Sequence, residues 1–259
     1  MDKNLPITFA DVKRGEHTKI PGLFCCPNIL SHHQASFLLD LVDKYEDSGE
    51  SIRNKIRKRV TMHFGHVFSA SKLKVDFNDE PPKIDDKLRS YIDYIIHLYH
   101  PELLDWEYDQ VTINRYYEKG GIGAHVDTHS SFDENILIIS LGSPTVMRFQ
   151  HCVDKDKIVD VWIPDRSMLL MSGESRYRWT HKISNRKTDY DPQGVLVHRG
   201  MRTSITVRKV IKTGICECKY PEACDYQNPS SFHVPDRVPG KDSESDSLEK
   251  KEDQVIDGE

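Results

Sequence analysis

Residues Asn114 to Ser130 read Asn-Arg-Tyr-Tyr-Glu-Lys-Gly-Gly-Ile-Gly-Ala-His-Val-Asp-Thr-His-Ser, and the rest of the chain takes its meaning from them. The stretch opens with strand-forming residues, passes through a glycine cluster and delivers His125, Asp127 and His129 two apart. Side chains at i and i+2 of an extended segment leave the same face. His125 and Asp127 can therefore approach one point from one strand, a neutral imidazole beside a hard carboxylate. Two histidines and one carboxylate, with the remaining positions open, form the facial triad that suits non-haem iron(II). The pair becomes specific only if the chain also supplies a distal histidine and a basic pocket for an anion.

At 259 residues the chain can hold one large domain or two small ones with a sizeable core. Hydrophobic residues at 37% and charged residues at 30% describe a soluble protein with a polar surface or polar tails. The formal charge of −5 argues against a wholly basic nucleic-acid binder, although a net figure hides local patches. Apolar runs such as Ile136 to Leu141 are strand-sized, so no transmembrane helix and no membrane partner is expected. The N-terminus, Met-Asp-Lys-Asn-Leu-Pro, lacks the basic and apolar regions of a secretory signal. The expected location is the cytoplasm, with the nucleus also open, and the six cysteines read there as thiols or metal ligands.

Residues 1–20 are polar and read as a loose lead-in, with Leu23 to Cys26 a short strand holding the core thiols Cys25 and Cys26. Ser31 with Gln34 is a capping-box signature ahead of Phe37, Leu38, Leu41 and Val42, predicting a helix from about His32 to Glu46. Arg53, Lys55, Arg57, Lys58 and Arg59 then crowd together before a strand-like Val60 to Phe68. They fit a solvated edge strand, whose charges prevent sheet-to-sheet pairing. They equally fit a phosphate-tracking patch, with His63, Phe64, His66 and Phe68 available for stacking on bases. Lys83 to Tyr99 reads as a second helix with the stripe Leu88, Tyr91, Ile92, Ile95, Ile96 and Tyr99.

From Tyr108 to Val210 short runs alternate with turn signals. The predicted strands are Gln110 to Tyr117, Gly123 to Asp127, Ile136 to Leu141, Thr145 to Phe149, Val159 to Ile163, Ser167 to Met171, Val195 to Arg199 and Thr203 to Val210. Short strands at regular spacing, with no helices between them, predict an all-β sandwich, jelly roll or barrel supported on one face by the two helices. After residue 224 the chain turns polar, and from about Gly240 it lacks the apolar surface to fold alone.

Downstream of Asp127, the candidates for the third ligand are His129, His151, His181 and His198. His181 follows an apolar strand and a polar turn, His151 lies in a charged turn and reads as solvated, and His198 sits in a strand beside Arg199. Period-two geometry places Arg202, Ser204, Thr206 and Arg208 on one strand face. Arginine is the natural bidentate clamp for carboxylates, and a dicarboxylate needs one at each end. An exposed edge strand with flanking charges is the alternative.

Asn114-x-Tyr116, His125-x-Asp127, the distal His181 and Arg202-x-Ser204-x-Thr206-x-Arg208, in that order, resemble the AlkB family of iron(II)/2-oxoglutarate dioxygenases over residues 21–224. The resemblance implies a double-stranded β-helix, or jelly roll, with N-terminal helices packed on one sheet and His125, Asp127 and His181 on iron. It further implies that Arg202 and Tyr116 hold the distal carboxylate of 2-oxoglutarate, while Arg208 and Asn114 address the carboxylate beside the keto group. Many relatives carry Asn where this chain has Ser204. His-Val-Asp-Thr-His-Ser, Gly-Glu-Ser-Arg-Tyr-Arg-Trp-Thr-His and Arg-Thr-Ser-Ile-Thr-Val-Arg-Lys-Val look most like the branch that hydroxylates the methoxycarbonylmethyl-modified wobble uridine of tRNA. That branch implies molecular oxygen as the second co-substrate and tRNA as the partner. Its animal members add RNA-recognition and methyltransferase domains that these 259 residues have no room for, so a separate protein is expected to supply them.

Cys216, Cys218 and Cys224 are three thiols where a closed zinc site wants four ligands. The resemblance offers His129 as the fourth. The alternatives to the wobble-uridine hydroxylase are a demethylase of alkylated nucleic acid, a protein hydroxylase, and a zinc-stabilised RNA-binding module without turnover.

Overall fold

In the computed structural model, which describes residues 12–13, 16–17, 19–56, 58–69, 72–79 and 81–230, the chain begins with β1 (Val12–Lys13), β2 (Glu16–His17), β3 (Leu23–Cys26) and α1 (His32–Ser48). Next come β4 (Ile52–Ile56), β5 (Arg59–Phe64), β6 (Val67–Ser69), β7 (Lys74–Asp76) and α2 (Asp86–Tyr99). The strand block follows with β8 (Gln110–Tyr116), β9 (Ile122–His125), β10 (Phe132–Gly142), β11 (Thr145–His151), β12 (Ile158–Ile163) and β13 (Ser167–Met171). A short α3 (Gly173–Tyr177) then leads into β14 (Trp179–Ile183), β15 (Thr188–Tyr190), β16 (Leu196–His198) and β17 (Arg202–Val210).

Nine strands form one sheet in the order β1-β2-β3-β13-β10-β17-β8-β5-β4, and four form a second in the order β12-β11-β14-β9. Two hairpins, β6–β7 and β15–β16, stand apart. The result is a jelly roll with helices against its larger sheet.

Alternation along the strands gives the large sheet its two characters. Val60, Met62, Phe64, Val111, Ile113, Leu137, Ile139, Leu141, Ile205 and Val207 meet the helices in one core. The helices answer with Leu38, Leu41 and Val42 from α1, and with Leu88, Ile92, Ile95 and Ile96 from α2. Each such buried side chain contributes roughly 1.5–3 kcal/mol. The other face carries polar rows across the sheet: Arg59, Tyr116 and Arg202 in one, Thr61, Asn114, Ser204 and Ser140 in the next. His63, Thr112, Thr206 and Ile138 make a third row. The small sheet covers this face, packing Met147, Phe149, Val161 and Ile183 against Ile136 and Ile138.

Both helices start where side-chain oxygens satisfy the free N–H groups of the first turn. Ser31 Oγ accepts from Gln34 N at 3.2 Å and Ser31 N donates to Gln34 Oε1 at 2.9 Å, so the expected capping box forms, and α1 continues to Ser48. The second helix begins at Asp86 rather than Lys83, because Asp85 Oδ1 accepts from Lys87 N and Leu88 N and so fixes the first turn. The strand expected over Val60 to Phe68 divides into β5 and β6 at Gly65. There φ is +81° and a Cβ would strike Asp109 O. A short helix does lie between strands, α3, contrary to expectation. Residues 1–11 of the expected lead-in and 231–259 of the expected polar tail lie outside the described residues.

Candidate metal and co-substrate site

β9 and β14 are neighbours in the small sheet, and their register sets His125 directly opposite His181. The two imidazole rings lie 4.2 Å apart between centroids. His181 follows the apolar β13 as expected, with the short α3 in place of a simple turn and the histidine itself within β14; of the expected strand over 123–127 only the part to His125 is extended. Asp127 lies just past the strand end, yet its carboxylate still joins the histidines: one donor atom from each of His125, Asp127 and His181 falls within 4.8 Å of the others. Gly121 lets this segment pass close to β14, since a Cβ there would strike Ile183 O.

The donor atoms are prepared for a cation. His125 Nδ1 lies 2.9 Å from Gly123 O; a carbonyl only accepts, so Nδ1 carries the proton and Nε2 keeps its lone pair. Asp127 Oδ1 accepts from Arg208 Nη2 at 2.9 Å, while Oδ2 is buried with no partner. Burial opposes charge on Asp127, but Arg208, the two histidines and Arg176 outweigh it and hold the carboxyl well below the usual range. Burial pushes His181 down to about 3, so it is neutral at physiological pH, the form in which imidazole ligates metals. Two imidazoles and one carboxylate, whose Oδ2 is buried without a partner, fit Fe(II).

A pocket opens beside His125 and His181, lined among others by Asn114, Tyr116, Arg202, Ser204, Thr206 and Arg208. The expected strand face is therefore buried against the cavity and is no exposed edge. Arg202 Nε donates to Ser140 Oγ at 3.0 Å, its guanidinium lies 5.4 Å from the Tyr116 ring centre, and Nη2 is buried without a partner. Burial lowers the pKa of Arg202, and the groups acting on it electrostatically are Tyr116 and Arg199, not a carboxylate. A buried cation lacking an anion is costly, and a dicarboxylate in the cavity would supply one. Asn114 Oδ1 accepts from Thr61 Oγ1 at 2.9 Å, and Ser204 Oγ lies 3.4 Å from Thr206 Oγ1. Arg208 Nη1 is held by Gln110 Oε1 at 3.1 Å and Thr112 Oγ1 at 3.3 Å.

The other histidines separate cleanly. His198 is exposed on β16, opposite Thr188 and away from the cluster. His151 is buried at 4% exposure, not solvated, because its ring packs edge-on to Trp179 and Nδ1 accepts from Asp154 N at 2.9 Å. His129 joins a second cluster: it and Cys216, Cys218 and Cys224 each offer one atom within 4.8 Å of the others. His129 Nδ1 lies 3.5 Å from Cys218 Sγ. Burial pushes the Cys216 and Cys218 thiols up, so in such surroundings they would ionise only against a strong positive charge. Three sulfurs and an imidazole fit zinc.

The described residues of the basic stretch lie in and between β4 and β5, which pair at the edge of the large sheet. Lys55 and Lys58 are exposed, Lys55 lies 3.9 Å from Glu46, and Arg59 shares a row with Tyr116 and Arg202. The side chains of Arg53 and Arg57 lie outside the described residues. Gln110, Thr112 and Ser140 were missed as supports of the arginines, although Gln110, Thr112, Asn114 and Tyr116 repeat at period two. Arg176 and Asp225, which brace the segment after Asp127, carry no signal in the sequence.

The family model described as the 2OG-Fe(II) oxygenase superfamily matches residues 22–208. The tRNA (carboxymethyluridine(34)-5-O)-methyltransferase ALKBH8 of Macaca fascicularis is 36% identical over 254 residues, covering 89% of this chain and 36% of that protein. The alkylated DNA repair protein ALKBH8 homolog of Arabidopsis thaliana is 30% identical over 241 residues, 86% of this chain and 66% of that one. The chain thus spans about a third of the animal relative's length. The solved structure of OsALKBH1 superposes with a TM-score of 0.57 at 17% identity, over 75% of this chain and 99% of that one.

Proposed function

Because the chain belongs to the 2OG-Fe(II) oxygenase superfamily and is of the AlkB, ALKBH8-like type, we propose that it hydroxylates the methoxycarbonylmethyl-modified wobble uridine of tRNA, with His125, Asp127 and His181 holding Fe(II). The observation that carries the oxygenase site is Arg202, a buried guanidinium with a free Nη2 on the wall of the cavity that His125 and His181 also line, with Asp127 clustered beside them. Arg202 and Tyr116 bind the distal carboxylate of 2-oxoglutarate. Arg208 and Asn114 address the carboxylate beside the keto group, and Ser204 lines the space between them.

Iron with 2-oxoglutarate and oxygen supplies the oxidising power that turns a substrate C–H into C–OH, the co-substrate leaving as succinate and carbon dioxide. The protein's part is placement and exclusion of water. Arg208 keeps Asp127 ionised and aimed, and the Gly123 carbonyl fixes the tautomer of His125. The small sheet walls the cavity with Ile122, Met147 and Ile183. The choice of substrate is supported by the animal ALKBH8 relative, named as a methyltransferase of the carboxymethyl oxygen at uridine 34 of tRNA. The resulting ester has a methylene between the uracil ring and a carbonyl, an activated C–H. The exposed hairpin residues Lys55 and Lys58, with Arg53, Arg57 and Arg59, are proposed to track the tRNA phosphates. A methyltransferase activity would supply the ester. His129, Cys216, Cys218 and Cys224 are proposed to hold a structural zinc.

The test is succinate formation by the native protein and His125→Ala, together with mass spectrometry of tRNA nucleosides after incubation. The proposal expects His125-dependent decarboxylation and conversion of the modified uridine to its hydroxylated form. An unchanged uridine alongside demethylated N-methyl bases would reject the substrate.

A further inference from the structure

We infer that Arg176 is a positioning residue for both ligand clusters, shaping residues 127–133 so that Asp127 and His129 reach separate sites. The inference rests on the two metal sites proposed above. Arg176 is the bulkiest side chain under 2% exposed among the described residues. All its hydrogen bonds end on main-chain carbonyls: Nη1 on Asp127 O at 2.6 Å, Nη2 on Thr128 O at 3.2 Å and Phe132 O at 2.9 Å, and Nε on Asp133 O at 3.2 Å. Its guanidinium also lies 4.6 Å from the Tyr177 ring centre.

In a strand, Asp127 and His129 would point the same way and successive carbonyls would alternate. Neither holds here. The carbonyls of Asp127 and Thr128 both turn onto the one guanidinium, and the side chains part, Asp127 to His125 and His181, His129 to the cysteines. Removing the cation would leave several buried carbonyls without a donor, and the cheapest relief is to swing the loop toward solvent. The N–H side of the loop is held from the other direction. Asp225, next to Cys224, accepts from His129 N at 2.7 Å and from Ser130 N at 3.1 Å. The loop is thus fixed between a cation on its carbonyls and a carboxylate on its amides.

The experiment adds Co(II) stepwise to chelator-stripped, reduced protein without oxygen. Thiolate charge-transfer absorption reports the cysteine cluster, weak d–d bands report the His/Asp cluster, and a competing chelator gives each affinity. Native protein is expected to bind Co(II) at both. Arg176→Met is expected to weaken both sites by about 10–100-fold, the usual effect of losing a group that orients ligands. Arg176→Lys, which keeps the charge but cannot reach all four carbonyls, is expected to lose less and serves if the methionine variant does not fold. Leu88→Ala, in the distant helix–sheet core, is expected to lower Tm while leaving both affinities alone. Native affinities in folded Arg176→Met or Arg176→Lys would overturn the inference while leaving the metal sites standing, as would equal losses in Leu88→Ala. Native protein that bound no Co(II) at one cluster would reject that site, and the shared clamp with it.

Discussion

Arg208 Nη2 donates to Asp127 Oδ1 at 2.9 Å, so one guanidinium both lines the cavity and orients the carboxylate that faces two histidines. Arg208→Met should therefore damage two things at once. Removing one partner of a buried pair costs about 3–5 kcal/mol of stability. A fall in Tm together with loss of 2-oxoglutarate turnover is expected, measured by thermal melting and succinate release. An unaltered KM for 2-oxoglutarate would disprove the binding role.

Arg202 behaves oppositely, because its buried charge has no carboxylate acting on it. Arg202→Met should leave the stability of the co-substrate-free protein unchanged or raised. Its KM for 2-oxoglutarate should rise by roughly 10–100-fold, following the ~1.5–3 kcal/mol typical of a hydrogen bond to a charged group. Paired melting curves with and without 2-oxoglutarate test this: the ligand-induced rise in Tm seen for the native protein should vanish.

Three buried histidines predict acid sensitivity in the chelator-stripped protein. Burial holds His129 and His181 at about 3 and pushes His151 below its ordinary value. The unfolded chain protonates these groups below about 6.5, so it binds more protons than the fold as pH drops through that window. Stability is full above about 6.5 and falls toward pH 3 by up to ~1.4 kcal/mol per pH unit for each of His129 and His181, with His151 adding to the loss in the same direction. Asp127, held low when folded, adds a further loss below about pH 4. Urea midpoints measured from pH 7 to 4 should decline steadily, and a flat profile would show that these rings are not buried neutral.

Zinc should protect specific thiols. Cys218 is only half-buried, whereas Cys25 is fully buried in the core. After chelation, iodoacetamide should label Cys218 faster than Cys25; adding Zn(II) should block that labelling and raise Tm. Labelling of Cys218 that ignores zinc would exclude it as a ligand.

Lys55→Glu and Lys58→Glu, both on the exposed edge hairpin, should weaken tRNA binding evenly across tRNA sequences. Each should also reduce the slope of log affinity against log salt by about 1. Binding measured between low and moderate salt decides this; unchanged slopes would leave the lysines as guards of the sheet edge.

The order of the motifs and the alternation of residues already contained much of this protein. Ser31 with Gln34 marked where α1 starts, and the period-two runs located most strands of the two sheets to within a few residues. Arg202-x-Ser204-x-Thr206-x-Arg208 implied a shared face because a strand's pleat is a local property. His125-x-Asp127 worked as a signature even though the chain leaves the strand before Asp127.

Tertiary structure alone decided the rest, because it depends on pairings between residues far apart in the chain. The choice of His181 over His198 follows from the register of β9 with β14, and the burial of His151 follows from the Trp179 ring against it. The divergence of Asp127 from His129 comes from Arg176, a cation 49 positions after Asp127 that no local pattern connects to it. Periodicity reports which way a side chain leaves its own strand; what meets it there is set by how distant strands align.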